Sequence, residues 1–351
     1  MPIGGLMKRH GNLFETAFSR DALYHAYLEA RRGKRLRKAC YWFDVRAGAV
    51  LDWLHRRLHD DTYTPRGYKR FMVREPKPRE ICAPWFGDIV VQHAIYHVVR
   101  PIFDRTFIDQ SFACRIGKGT HKASEYAQAA LQQCDPERYT LKLDIRKFFY
   151  RIDRDILRGL IERKIKDKRL VDVMMQFAEL PEPLGIPIGN LLSQIYALIY
   201  LNALDQFVKR ELKVKLYCRY VDDFILFNLT HDQCIEYKAR IVEFLDKELN
   251  LELSKWTMAK VKKGVNFVGY RTWRRGKFIR KFSLYKFRRA VRRDKVDSVI
   301  SLLGHAKHTH SLGFMWRTIR EVNPAMVGRL PVKIRRSYPL RPPREVPDSS
   351  Q

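Results

Sequence analysis

Asp222 and Asp223 stand side by side in Tyr220-Val221-Asp222-Asp223, between the strand-like runs Leu216-Tyr217-Cys218-Arg219 and Phe224-Ile225-Leu226-Phe227. Two such runs around two carboxylates predict a β-hairpin with the acids at its tip. Burying paired charges is costly unless cations neutralise them, so the turn is a candidate platform for divalent metal ions. Two-metal phosphoryl transfer takes its carboxylates from separate elements and holds two cations about 3.5–4 Å apart. One cation assists the attacking hydroxyl and the other holds the triphosphate and its leaving oxygens. Asp144, in Leu141-Lys142-Leu143-Asp144-Ile145, would supply the missing carboxylate from the end of an adjacent strand. Its alternative role is a helix N-cap or turn residue. Just beyond, Phe148 and Phe149 either pack in the core or place one ring under an incoming sugar.

The elements that would position these residues can be read from periodicity. Residues 68–84 alternate as strands around Glu75-Pro76-Lys77-Pro78-Arg79, a hairpin turn that projects Lys77 and Arg79. A helix is predicted over 88–99, capped by Asp88 and stopped by Pro101, and another over 122–133. A strand over 139–144 precedes helices over 154–164, 190–212 and 232–249. The last of these shows an apolar stripe of Ile235, Ala239, Val242, Leu245 and Leu249. Strand character returns near 264–270. This order predicts an α+β domain whose antiparallel sheet is covered on one face.

Composition narrows the partner. The chain has 351 residues, with 68 Lys+Arg against 38 Asp+Glu and a formal charge of +30. Its length favours two or three domains, and 46% hydrophobic residues argue against wholesale disorder. Such a charge excess repels itself unless a polyanion compensates it, and nucleic acid is the default polyanion. Aromatic residues, 12% of the chain, supply stacking surfaces that a ribosomal-type scaffold usually lacks. Cys40, Cys82, Cys114, Cys134, Cys218 and Cys234 form no C-x-x-C pair, which leaves zinc ribbons and redox motifs unsupported. With no secretory leader, they read as reduced thiols of a cytoplasmic protein. No apolar run is long enough to span a bilayer, so no membrane partner is expected.

Residues 1–60 read as a basic helical extension, where Arg31 to Lys38 is either a solvated helix end or a phosphate contact. Beyond Arg271, basic residues that include Arg288, Arg289, Arg292 and Arg293 crowd a helix-favouring module over 271–335. Residues 336–351 are expected to be a disordered tail.

Asp144 followed by Phe149, the helix entry Gly189-Asn190-Leu191-Leu192-Ser193, and Tyr220-Val221-Asp222-Asp223, in that order, resemble a reverse transcriptase. The resemblance runs over nearly the whole chain, to about Val327. It implies a right-hand polymerase with fingers and palm over 61–270, an antiparallel palm sheet backed by helices, and a helical thumb over 271–335. Two Mg²⁺ ions, with Mn²⁺ as the other candidate, would bind Asp144, Asp222, Asp223 and the Ile145 carbonyl. Arg79 looks like the arginine that grips the triphosphate, with Lys77 a second candidate, and Phe149 would be the sugar gate. Ile188 and Gly189 would line the nucleotide site. Phe112 to Gly119, with Arg115 and Lys118, is similar to a nucleic-acid-binding segment of the family, and Arg288, Arg289, Arg292 and Arg293 would add contacts. Phe267, Gly269 and Tyr270 resemble the primer grip. In related enzymes a lysine-threonine pair follows the hairpin; here Leu253-Ser254-Lys255-Trp256-Thr257 departs from it. Lys255 is therefore either the displaced acid for the leaving group or a solvent-exposed residue.

A narrower resemblance lies at Ile188-Gly189-Asn190-Leu191-Leu192-Ser193-Gln194, where most reverse transcriptases carry Gln-Gly-x-x-x-Ser-Pro. This form is similar to that of diversity-generating retroelements, as are Lys8 to Glu15, Ala30 to Lys34 and Ser301 to His308. The first of these stretches also suggests Met7 as a natural initiator. The resemblance implies a prokaryotic or phage-encoded enzyme that copies a template-repeat RNA into cDNA from dNTPs and a primer. Errors would concentrate at template adenines, in mutagenic retrohoming. A small basic oligomeric accessory protein is the implied partner. A branched Ile188 cannot hydrogen-bond the incoming nucleotide as glutamine can, so discrimination should fall; Ser193 and Gln194 belong to the same fidelity segment. The other reading is that Ile188 fills a core position. Competing identities are a group II intron-, retron- or defence-type reverse transcriptase, and an RNA-binding scaffold on an inactive polymerase fold. The short stretch after the expected thumb disfavours the intron type, and three clustered carboxylates disfavour the scaffold.

Overall fold

The computed structural model describes residues 9–74 and 78–336, so Lys77, Lys8 and residues 337–351 of the expected tail lie outside the described residues. Contacts group the chain into two compact units that alternate along the sequence. The first comprises residues 1–115, 143–215 and 236–256, and the second 116–142, 216–235 and 257–351. The elements are mixed helix and strand, as the α+β expectation has it.

In the first unit, four helices, Leu13–Phe18, Arg20–Ala30, Lys38–Asp44 and Ala47–His59, precede the hairpin of β1 (Tyr68–Val73) and β2 (Arg79–Pro84). The two strands pair antiparallel from Tyr68 opposite Pro84 to Val73 opposite Arg79. The next helix, Phe86–Asp104, neither begins at Asp88 nor ends at Pro101. Asp88 sits buried in its first turn and accepts hydrogen bonds from the Tyr63 hydroxyl (2.8 Å) and the Arg66 amide (3.0 Å). Pro101 removes one backbone donor, and the buried ring of Phe103 keeps the last turn packed.

Helices Arg154–Glu162 and Lys168–Gln176 are capped by the side chains of Asp153 and Asp167. The helix Leu191–Gln206 is apolar on nearly every side and correspondingly buried. Its tyrosines Tyr196 and Tyr200 donate to the carbonyls of Met174 and Leu249, each at 2.6 Å. The expected continuation to 212 is a π-helical turn, Phe207–Glu211.

In the strand order β4-β5-β3-β6, β3 is Tyr139–Ile145, β4 is Tyr217–Tyr220, β5 is Asp223–Leu229 and β6 is Leu253–Lys260. Strands β3 and β6 each have residues in both units. The helix His231–Leu249 also begins in one unit and ends in the other. Its buried residues are Cys234, Ile241, Leu245 and Leu249, whereas Ile235, Ala239 and Val242 of the expected stripe are exposed.

The second unit also holds the small antiparallel sheet β7 (Val265–Phe267), β8 (Tyr270–Thr272) and β9 (Lys277–Ile279). Helices Lys281–Arg292, Val296–Ala306 and Ser311–Val322 build a core from Phe287, Leu303, Met315, Trp316 and Ile319, which Tyr270 joins. Arg288, Arg289, Arg292 and Arg293 are exposed beside it. The six cysteines are free thiols. No helix among the described residues is long and apolar enough to cross a membrane.

Candidate active site

The expected acidic hairpin is present. Tyr220 pairs with Asp223, leaving Val221-Asp222 as a two-residue turn. Val221 has φ +56°, a left-handed conformation that costs a β-branched residue roughly 1–2 kcal/mol. Backbone strain of this kind gathers at functional sites. Arg219, almost fully buried, donates to the Val221 carbonyl at 3.1 Å and braces the turn from below. Lys142 Nζ lies 2.9 Å from the Asp223 carboxylate.

Asp144 sits near the end of β3. Leu141, Leu143 and Ile145 are buried there, while Lys142 and Asp144 are only partly so, following the two-residue alternation of a strand. The Ser254 hydroxyl, on β6, donates to the Asp144 carboxylate. Asp144 belongs to the first compact unit, and Asp222, Asp223 and Lys142 to the second.

Lys147, at φ +46°, turns the chain from β3 into the short helix Phe148–Arg151. Phe148 is buried against Tyr200, and Phe149 is half-buried. One ring is therefore core and the other partly open. The Phe149 carbonyl accepts from the Ile186 amide at 2.8 Å.

Residues 187–194 are fastened on both sides. The Ile188 carbonyl accepts from the Cys82 amide of β2 at 2.7 Å. Gly189 has φ +108°, and a Cβ there would stand 2.8 Å from Ile81 Cγ2 and 3.2 Å from the Cys82 carbonyl, so this close approach needs glycine. Asn190 accepts from the Leu192 amide as helix cap and donates to the Tyr68 hydroxyl. Buried Ser193 donates to the Pro187 carbonyl at 2.5 Å, while Gln194 is exposed. Ile188 itself is half-buried, with Arg79 exposed at the far end of β2.

Two expected assignments change. Arg115 does not face nucleic acid. Its guanidinium donates to Asp104 (2.7 Å) and to the carbonyls of Ile108 and Ser111, and its side chain is only 10% exposed. Phe267 and Tyr270, expected in the primer grip, are fully buried, and Val268 and Gly269, at the β7–β8 turn, are the accessible part of that stretch. Lys118 is half-buried and Lys255 is exposed. Sequence reading passed over Lys142 and Ser254. Lys142 had a legible signal, since it precedes Asp144 by two residues on a strand; Ser254 had none.

The family profile described as reverse transcriptase (RNA-dependent DNA polymerase) matches residues 74–272. The group II intron-encoded protein LtrA of Lactococcus lactis subsp. cremoris is 30% identical over 170 residues, covering 45% of this chain and 28% of that protein. Thus the chain spans little more than a quarter of that relative's length. Protein YkfC of Escherichia coli (strain K12) is 24% identical over 296 residues, covering 70% of this chain and 76% of that protein. Among solved structures, apo telomerase from Candida tropicalis superposes with a TM-score of 0.48 at 11% identity, covering 77% of this chain and 63% of that one. The profile match takes in more than half of the chain, from just after β1 through β8, and the chain therefore belongs to the reverse transcriptase (RNA-dependent DNA polymerase) family.

Proposed function

We propose that this chain extends a primer along an RNA template, with Asp144, Asp222, Asp223 and the Ile145 carbonyl holding two divalent cations. The acidic turn of the β4–β5 hairpin, held in a strained backbone, carries this reading. An all-oxygen donor set of three carboxylates and a carbonyl fits hard cations such as Mg²⁺ or Mn²⁺. When bound, such ions would assist the 3′-hydroxyl and offset charge on the departing pyrophosphate. The protein's own groups then have separate tasks. Ser254 orients the Asp144 carboxylate, and Lys142 offsets the charge of Asp223. Arg79, with Lys77, would meet the triphosphate, and the partly open ring of Phe149 would exclude a 2′-hydroxyl. Exposed Arg288, Arg289, Arg292 and Arg293 would contact phosphates from a thumb over 271–335, with fingers and palm over 61–270.

We further propose the error-prone chemistry of a diversity-generating retroelement. Half-buried Ile188 gives the nucleotide site an apolar group where glutamine would hydrogen-bond, and the bonds at Ile188, Asn190 and Ser193 hold it in place. A template-repeat RNA and a small basic oligomeric accessory protein would be the partners. The likeness to LtrA favours a second reading, a group II intron-type enzyme. Primer extension on an adenine-rich RNA, followed by cDNA sequencing, separates the two. Errors concentrated at template adenines, and reduced in Ile188→Gln, support the first; evenly spread errors support the second. Activity in an Asp222→Ala, Asp223→Ala double variant would refute both.

A further inference from the structure

His25 and Glu29 lie one turn apart on the helix Arg20–Ala30, and His93 and His97 lie one turn apart on the helix Phe86–Asp104. Residues four apart share a helix face, so each helix presents a pair of potential ligands. The two helices pack together within the first unit. Glu29 Oε2 is 2.9 Å from His97 Nε2 and 3.7 Å from His93 Nδ1. Donor atoms of all three residues lie within 4.8 Å of one another. A tetrahedral zinc ion with bonds of about 2.0–2.1 Å sets its donors about 3.3–3.4 Å apart, which a small rotation of exposed Glu29 and His97 would reach.

We propose that Glu29, His93 and His97 form a zinc site that pins these two helices together, its fourth position open to the adjoining cavity. That cavity is a half-open depression of about 420 Å³, lined by His25, Glu29 and His97 among others. An ion pair with Glu29 would need only one histidine, and the second is of a kind suited to metal. His93 is the more enclosed of the two, its side chain 18% exposed against 45% for His97, and its Nδ1 faces Glu29. Lys34 opposes any cation here, and the Glu29 carboxylate offsets it. His97 Nε2 faces Glu29 Oε2 at 2.9 Å; zinc would take the position between them, bound through the Nε2 lone pair of the tautomer that carries its proton on Nδ1. Two imidazoles and one carboxylate suit Zn²⁺ and disfavour Mg²⁺, which sets this site apart from the aspartates in chemistry as well as position. The inference stands independently of the polymerase reading.

The test uses the full chain carrying Asp222→Asn and Asp223→Asn, stripped with EDTA, dialysed and titrated with Zn²⁺ alone. The expected result is one equivalent bound, one proton or fewer released per ion, and a tetrahedral visible spectrum when Co²⁺ replaces zinc. At a hundredfold excess over Kd the melting temperature should rise by about 5 °C. His97→Ala and Glu29→Gln, both at exposed positions, should each weaken zinc binding at least about tenfold while melting normally without metal. Failure to bind one equivalent, an octahedral Co²⁺ spectrum, or unchanged affinity in both variants would overturn the proposal.

Discussion

Lys142 Nζ and Asp223 Oδ2 lie 2.9 Å apart, so the acidic hairpin carries its own counter-cation. On the proposed two-cation reading, that ammonium would compete with a divalent ion for the same carboxylate. Lys142→Met should lower the Mg²⁺ concentration needed for half-maximal primer extension by about threefold to tenfold, the effect of one nearby charge. It should also lower the melting temperature in EDTA, with the deficit shrinking as Mg²⁺ is added. Magnesium titrations of extension and of melting check both halves; an unaltered Mg²⁺ dependence would show that Lys142 and the cation do not share the group.

Ser254 makes the complementary case. Its hydroxyl donates to Asp144, and groups that orient a ligand carboxylate typically contribute ten- to hundredfold to metal affinity. Ser254→Ala should therefore raise the half-maximal Mg²⁺ concentration about tenfold, with little loss of rate at saturating Mg²⁺. Ser254→Thr keeps the hydroxyl and should restore most of the affinity. A rate loss that saturating Mg²⁺ does not repair would point to a structural role instead.

The arginines divide into two classes that salt dependence distinguishes. Arg115→Ala breaks a nearly buried set of bonds and should cost roughly 2–4 kcal/mol of stability, read by denaturant melts. It should leave RNA affinity unaltered in conditions where the variant stays folded. Removing Arg288, Arg289, Arg292 or Arg293 should do the reverse, each lowering the slope of log affinity against log salt by about 1 wherever it meets a phosphate.

Stability should fall on acidification. The Tyr270 hydroxyl lies 3.2 Å from Nδ1 of both His121 and His305, and burial pushes both imidazoles below their ordinary value. His308, Lys277 and Lys307 add positive charge against His121, as does Arg280 against His305, while Glu125 works the other way on His121. In the unfolded chain these histidines take protons near pH 6.5, and in the folded chain only at lower pH. The unfolded state therefore binds more protons in that interval. Their contribution is complete above about pH 6.5 and is lost as the pH falls toward the folded values. Melting temperatures between pH 7.5 and 5.5 should decline, and His305→Asn should flatten the decline.

The acidic hairpin was legible because a strand, a two-residue turn and a strand leave a short-range pattern, and Asp144 because it closes another apolar strand. Misreadings came where distant contacts override local signals. Pro101 looked like a stop, yet packing of Phe103 carries the helix to Asp104. Ending the helix early hid Asp104, and without Asp104 the basic residue Arg115 had no visible partner. The apolar stripe predicted on the helix His231–Leu249 is a single face, but the helix begins in one compact unit and ends in the other, and it buries Cys234 and Ile241 in place of Ile235, Ala239 and Val242. Ser254 was invisible since β6 stands beside β3 only by virtue of long-range strand pairing.

The alternation of the two units along the chain has a consequence for synthesis. The first unit's last segment ends at residue 256, so it cannot close until that residue has left the ribosome. At about 5–20 residues per second, the 141 residues from 115 to 256 take roughly 7–28 s to make, and the first segment waits that long for its partners. During that interval the β1–β2 hairpin lacks the Cys82–Ile188 and Tyr68–Asn190 bonds, and the helix Phe86–Asp104 lacks the helix Leu191–Gln206. Truncating synthesis before residue 256 leaves neither unit whole, and slowing it there prolongs the exposure of the early segments.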